Sequence, residues 1–274
     1  MSGDPGALER IAAALERLAP PAPPATDWRA HPAYVWDHAG VRAVAAIDAP
    51  PLALLRGIDA AKAAVVANVA RLASGAAAHD MLLWGARGMG KSALLRAAVA
   101  SAQLDQPDAL ALVQAAPDAV ASLPALFAAL RPIERRFLVF LDDLGFDGDS
   151  AAARQVRSWL EGGVEARPGN VRIAVTSNRR AILERQASEQ DDHLNPRDAV
   201  DDKLALADRF GLSLGFHACS QDDYLAIVAG YAEVHGLAWR TDDALEWARR
   251  RGARSGRVAW QFVTELAGRA GKPL

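Results

Sequence analysis

Residues 85–92 read GARGMGKS, a match to G-x-x-x-x-G-K-[ST], and each fixed residue type meets a need of phosphate binding. Glycines let backbone N–H groups turn inward with no Cβ between them and an anion. A helix that starts near Lys91 points its positive end at the same place. The Lys91 ammonium can reach the β- and γ-phosphates, and the Ser92 hydroxyl can hold Mg²⁺. The stretch Gly85, Ala86, Arg87, Gly88, Met89, Gly90, Lys91 and Ser92 therefore predicts a site for ATP with Mg²⁺. A chance match in a chain of this composition has odds of roughly a few per thousand, before asking for a strand ahead of it and a helix behind.

A second element belongs beside it, an apolar strand ending in acid. Phe137-Leu138-Val139-Phe140-Leu141-Asp142-Asp143 supplies one. Carboxylates that leave a buried strand at the carboxyl edge of an open α/β sheet lie where ligands bind. Asp142 is assigned to Mg²⁺ and Asp143 to polarising an attacking water. Alone, two Asp opening an acidic turn is an equal reading; the phosphate loop upstream weights it towards a site. Asp147 and Asp149 read as turn acids.

These groups must be positioned by alternating elements. Strands are predicted at 42–47, 81–84, 110–114, 137–141, 171–176 and 212–217. Helices are predicted at 59–74 with Asp59 as N-cap, and at 91–101, 122–131 and 150–161. Strand–helix alternation predicts a parallel sheet with helices on both faces. After residue 220 the pattern is helical throughout, at 221–235, 242–251 and 256–268. An amphipathic helix over 4–18 is followed by PPAPPA (20–25), which stiffens the link to the rest. That helix is either a capping element or a partner site. The expected organisation is 1–25 as helix and linker, 26–219 as an α/β nucleotide-binding domain, and 220–274 as a small all-helical lid.

Composition narrows the partners. Net charge is −2, which does not indicate nucleic-acid binding. The four Lys among 27 Arg make a lysine inside the loop less accidental. The single cysteine, Cys219, excludes an intramolecular disulfide and reads as a small buried apolar residue. The sequence has no signal-peptide pattern and no apolar run long enough to span a membrane, so the expected location is the cytoplasm.

The phosphate loop, the acidic strand, a polar residue ending the next strand and the helical C-terminus together resemble AAA+ ATPases. The resemblance implies a sensor role for Asn178, just beyond the strand 171–176. It implies an arginine finger in Leu206-Ala207-Asp208-Arg209-Phe210-Gly211, with Arg209 reaching a neighbouring subunit's γ-phosphate in a homo-oligomer. It further implies phosphate contact by Arg257 within Ser255-Gly256-Arg257-Val258-Ala259, and an adenine-pocket lining by Gly57 and Ile58. LLWGARGMGKS, DDLGFD, LEGGVEARPGNV, TSNRR, DDKLALADRFGL and RSGRVAWQFV, in this order across about 40–270, are similar to the uncharacterised bacterial AAA+ family catalogued as domain-of-unknown-function family 815. The chain departs from the common pattern in ending its acidic strand Asp-Asp where Asp-Glu is usual; the bacterial replication initiators share this. Asp143 is one methylene shorter than Glu, which puts its reach to the water in question.

Plain structural readings stand beside these roles. Arg209 can be a surface partner of Asp208 or Asp201, and Arg257 an exposed helix-start residue. Asp191, Asp192 and His193 lack the spacing of a metal site. The cluster Arg249, Arg250, Arg251 and Arg254 reads as a solvated helix end, and Trp239, Trp247 and Trp260 as core. Asp37, His38 and Trp36 carry no assigned role. The leading expectation is an oligomeric ATPase that remodels an unidentified protein client. An ATP-gated assembly switch with little hydrolysis and a nucleic-acid-remodelling ATPase are the alternatives.

Overall fold

The computed structural model describes residues 26–144, 151–160, 167–178 and 209–274, with Gly6, Glu9 and Arg10 of the N-terminal stretch in helical conformation. The rest of the expected helix 4–18, the run 20–25, the acidic turn with Asp147 and Asp149, and residues 179–208 lie outside the described residues.

Among the described residues seven strands form one sheet: β1 (Ala33–Asp37), β2 (Gly40–Val44), β3 (Met81–Gly85), β4 (Leu110–Ala115), β5 (Arg136–Leu141), β6 (Val171–Ser177) and β7 (Leu212–Phe216). Their order is β2-β1-β4-β5-β6-β3-β7. Every neighbouring pair is parallel except β1 with β2. The central strands are apolar at nearly every position because both sheet faces are covered. Leu82 and Trp84 of β3, with Phe137, Val139 and Leu141 of β5, face one layer. Met81, Leu83, Leu138 and Phe140 face the other.

The connecting helices are α1 (Asp59–Ala73), α2 (Lys91–Asp105), α3 (Leu123–Leu130) and α4 (Ala151–Leu160). A 3-10 stretch, Pro117–Ser122, leads into α3. The C-terminal helices are α5 (Gln221–Val234), α6 (Thr241–Arg250) and α7 (Gly256–Arg269). Side-chain caps start α5 and α7: Ser220 Oγ accepts from the Asp223 N–H at 3.0 Å and Ser255 Oγ from the Val258 N–H at 3.3 Å. Tyr224 and Ile227 of α5 and Val258 and Phe262 of α7 join the same apolar cluster as Met81 and Leu94. The C-terminal helices are thus packed onto the nucleotide-loop side of the sheet.

The expected strand at 42–47 is assigned differently. The chain forms a hairpin, β1 to β2, in which Asp37 pairs with Gly40. Asp37 Oδ1 accepts from the Ala39 N–H at 2.8 Å, an Asx turn, and Gly40 takes φ 123°. Trp36 anchors the hairpin by donating from its indole to Ser122 Oγ at 2.8 Å, and His38 meets Asp118 at 3.3 Å. Structural roles thus account for the three residues that had none. Asp59 is the first helical residue and not the N-cap, which is Ile58; its carboxylate pairs with Lys62 at 2.9 Å. Arg135, 4% exposed, fastens the segment before β1 by donating to the carbonyls of Trp28, His31 and Leu110, at 2.8 to 3.1 Å.

Candidate nucleotide site

Chain order sets where the site falls. From β3 the chain runs through α2 to β4, three places across the sheet, while β7 adds on the opposite side. The carboxyl end of β3 is therefore a topological switch point, the usual ligand crevice of an open α/β sheet. The loop 85–90 starts there because Gly85 allows it. Gly85 has φ 116°, and a Cβ on it would lie 2.2 Å from the Phe216 carbonyl oxygen of β7. That carbonyl accepts from the Ala86 N–H at 2.7 Å, tying the loop's first turn to the sheet.

Lys91 opens α2 and is 5% exposed. Its Nζ donates to the carbonyls of Gly85 and Ala86, both at 2.9 Å, and to Asn178 Oδ1 at 3.0 Å. Burial lowers its pKa; Asp143 and Asp142 push it back up, and Arg257 and Arg87 lower it further. Charges from three distant parts of the sequence therefore act on one another here. Ser92 Oγ donates to Asp142 Oδ1 at 2.6 Å. That oxygen also accepts from Thr176 Oγ1 at 2.6 Å. Asn178 Nδ2 donates to Asp143 Oδ1 at 2.6 Å, and Arg87 stands 4.0 Å from the other carboxylate oxygen of Asp143.

A hydroxyl and a carboxylate in direct contact form a hard-oxygen pair that fits Mg²⁺, which takes few protein ligands and completes its shell with waters and phosphate oxygens. No cluster of three or more His, Cys, Asp or Glu among the described residues could hold a metal by protein alone. The pair would therefore hold Mg²⁺ together with a bound phosphate.

A cleft of about 400 Å³ extends from these groups between the 54–58 segment and the C-terminal helices. Its lining combines these charged groups with the apolar side chains of Leu54, Leu55, Ile58 and Ile227 and the rings of Tyr231 and Trp260. Tyr231 and Trp260 meet edge to face, ring centroids 4.9 Å apart. The first turn of α7 closes the cleft over the phosphate loop. The Arg257 N–H donates to the Gly88 carbonyl at 3.2 Å, and Gly88, with φ 77°, lies so close that a Cβ would come within 2.9 Å of Ser255 Oγ.

The structure thus gathers Lys91, Ser92, Asp142, Asp143, Asn178, Arg87, Arg257 and Ile58 on one cleft. Gly57 is not on its wall. It takes φ 74° against α5, where a Cβ would meet the Asp223 Cβ at 3.0 Å, while Arg56 and Ile58 on either side reach the cleft. Arg209 stands three residues before β7, at the opposite end of that strand from Phe216 and outside its own chain's cleft. Asp191, Asp192 and His193 lie outside the described residues. Trp260 is 38% exposed on the cleft wall and is not a core residue, because its helix turns that face towards the cleft; Trp239 and Trp247 pack partly buried against the core. Within the basic cluster, Arg251 stacks 3.5 Å from the centroid of the Trp247 ring and Arg250 pairs with Glu246. Cys219 is buried, and burial pushes its thiol up to about 11.

Thr176 and Arg96 are among the cleft residues that had no signal as sites in the sequence. Thr176 reads as an ordinary β-branched strand residue. Arg96 reads as a helix-surface cation, yet it lines the cleft with a buried Nε that meets no acceptor among the described residues.

Sheet order, phosphate loop and acid-tipped β5 give the chain the fold of AAA+ P-loop NTPases. Matched over residues 29–270 by the model of the family described as Protein of unknown function (DUF815), the chain belongs to that family. No curated protein matches it significantly. Solved structures share the fold at low identity. The Aeropyrum pernix ORC1 protein in complex with DNA is 16% identical, with TM-score 0.56, over 80% of this chain and 65% of that one. A proline-to-glycine mutant of Thermotoga maritima RuvB is 16% identical, with TM-score 0.50, over 82% and 69%. The FIGL-1 AAA domain in complex with ADP is 18% identical, with TM-score 0.49, over 81% and 75%. Against another mutant form of Thermotoga maritima RuvB, this chain spans 65% of the other's length. Among the described residues no helix is long and apolar enough to cross a membrane.

Proposed function

We propose that this chain binds ATP with Mg²⁺ in the cleft and hydrolyses it as a homo-oligomer, acting on an unidentified protein client in the cytoplasm. The observation that carries the reading is the convergence of Lys91, the Ser92–Asp142 pair and the Asn178–Asp143 pair on a cleft that also has apolar walls. In this reading the loop N–H groups and Lys91 hold the phosphates, and the apolar walls take the adenine. Ser92 and Asp142 hold Mg²⁺, which supplies positive charge where negative charge develops. Asp143 polarises the attacking water and Asn178 sets its carboxylate. Arg257 contacts phosphate from its own chain. Arg209 serves the neighbouring site, which fits its place outside its own cleft. Residues 220–274 act as a lid whose first α7 turn, resting on Gly88, couples phosphate occupancy to lid position.

Replacing Lys91 by Ala tests the site. We expect ATP affinity to fall at least tenfold in a fluorescent-nucleotide titration, with the melting temperature kept within a few degrees. Full affinity in Lys91→Ala would sink the assignment.

A second reading, an ATP-gated assembly switch with little turnover, is favoured by one feature: Asn178 already occupies an oxygen of the short Asp143 carboxylate at 2.6 Å. Steady-state hydrolysis separates the two. The net charge of −2 weighs against a nucleic-acid client.

A further inference from the structure

We propose that Thr176 is a positioning residue for the metal-and-water side of this site: its hydroxyl orients both acids of the Asp142–Asp143 pair. The proposal rests on the nucleotide reading above and names a residue that reading leaves out. Thr176 lies on β6 beside Leu83 of β3 and is 1% exposed. A β-branched residue fits such a strand on shape alone, and Val would fit as well. The hydroxyl is therefore the feature to explain.

A threonine hydroxyl has one proton to give and lone pairs to accept with. Here the proton goes to Asp142 Oδ1 at 2.6 Å, a charge-assisted bond. The same hydroxyl oxygen accepts from the Asp143 N–H at 2.9 Å. The Thr176 carbonyl accepts from the Leu144 N–H, also at 2.9 Å. One residue thus bonds to three consecutive residues of the acidic turn. The hydroxyl alone serves the two acids.

The consequences for the two carboxylates differ. Asp142 Oδ1 collects both the Thr176 and the Ser92 hydroxyl protons, which turns the carboxylate towards Ser92 and leaves Oδ2 for a further ligand. Asp143 takes φ 54°, a left-handed conformation that a residue with a Cβ rarely adopts. The bond at its N–H helps hold that turn, which presents its side chain to Asn178. Without the hydroxyl, the Leu144 bond remains and the strand still packs. What is lost is the common reference that sets the metal acid and the water acid relative to each other.

Thr176→Val keeps the volume and removes the hydroxyl; Thr176→Ser keeps the hydroxyl. ATP affinity is measured by titration in EDTA and again in Mg²⁺, and hydrolysis is followed as a function of Mg²⁺ concentration. We expect Thr176→Val to bind ATP in EDTA within about threefold of the native chain. Its Mg²⁺-dependent gain in affinity should shrink, its half-saturating Mg²⁺ should rise about tenfold, and its kcat should fall by about 10- to 100-fold. Thr176→Ser should return these values to within about threefold. A structural role alone would lower the melting temperature without moving the Mg²⁺ dependence. Unchanged Mg²⁺ dependence in Thr176→Val, or a Thr176→Ser protein as impaired as Thr176→Val, would overturn the proposal. Should Thr176→Val not fold, Thr176→Cys, which replaces the hydroxyl by a weak donor, carries the same expectation. A native chain that binds ATP without turnover would refute the ATPase reading, and the Mg²⁺-dependent affinity would still decide for or against Thr176.

Discussion

Asp143 holds a left-handed backbone conformation that costs a residue with a Cβ about 1–2 kcal/mol. The surrounding bonds hold it there: the Thr176 hydroxyl at its N–H and the Asn178 amide at its carboxylate. Strain kept in place at a cleft directs a side chain, and here it directs the proposed water-polarising acid towards the proposed sensor residue. The reach lost with one methylene is thereby an issue of where this turn aims the carboxylate as well as of side-chain length. Cys219 is the opposite case, a reactive residue type held inert. With its thiol pushed up to about 11 by burial, it stays protonated at pH 8, and only the thiolate attacks. A disulfide reagent at pH 8 should leave the folded protein untouched and titrate one thiol after denaturation. Rapid reaction of the native protein would show that this corner opens.

At the scale of elements, the contact between the phosphate loop and α7 matters most. Gly88 and Gly256 let two backbones approach, the Arg257 N–H bonds to the Gly88 carbonyl, and Ser255 both caps α7 and touches Gly88. Gly88→Ala would place a Cβ 2.9 Å from Ser255 Oγ at a φ of 77°. Either the loop or the start of α7 must then give way. We expect ATP affinity to drop by roughly tenfold, equivalent to about 1.4 kcal/mol, with the fold retained. A Gly88→Ala protein that binds ATP as the native chain does would mean that the contact is not coupled to the site. The 54–58 segment joins the same assembly from the other side. The Arg56 guanidinium donates to the Ala226 carbonyl of α5 at 3.1 Å. Leu55 and Ile58 come within 3.7 and 3.9 Å of where a Cβ on Gly90 would lie.

For the whole molecule, the place of Arg209 bears on how the proposed reaction would be completed. Four residue steps along β7 separate Leu212, at its end of the strand, from Phe216, roughly 13 Å at the usual rise per residue. In the proposed oligomer an arginine there would serve a nucleotide across an interface more readily than its own. Arg209→Ala should therefore lose hydrolysis while binding ATP normally. Mixing it with Asp143→Asn protein should restore part of the activity, since some interfaces then pair an intact finger with an intact acid. Co-assembled mixtures without any recovery would argue that Arg209 does not act in trans.

The phosphate loop, the acid-tipped strand and the alternation of strands and helices were legible from residue order because each is encoded in a contiguous stretch. Backbone periodicity and glycine freedom act over a few residues, so Gly85–Ser92 and Phe137–Asp143 announce themselves. The β1–β2 hairpin was not legible, since a short turn held by the Asp37 side chain looks like loop until β4 supplies a pairing edge. Thr176 and Arg96 were not legible either. Their types are ordinary for a strand and a helix, and their environment comes from partners far along the chain. The sequence by itself determined that a glycine-rich loop and an acid-tipped strand exist and lie on one sheet. Only the tertiary structure decided their mutual aim, because hydrogen bonds such as Ser92 to Asp142 and Thr176 to Asp142 join residues 50 and 34 positions apart. Pairing of β3 and β5 with β6 is what brings them within reach.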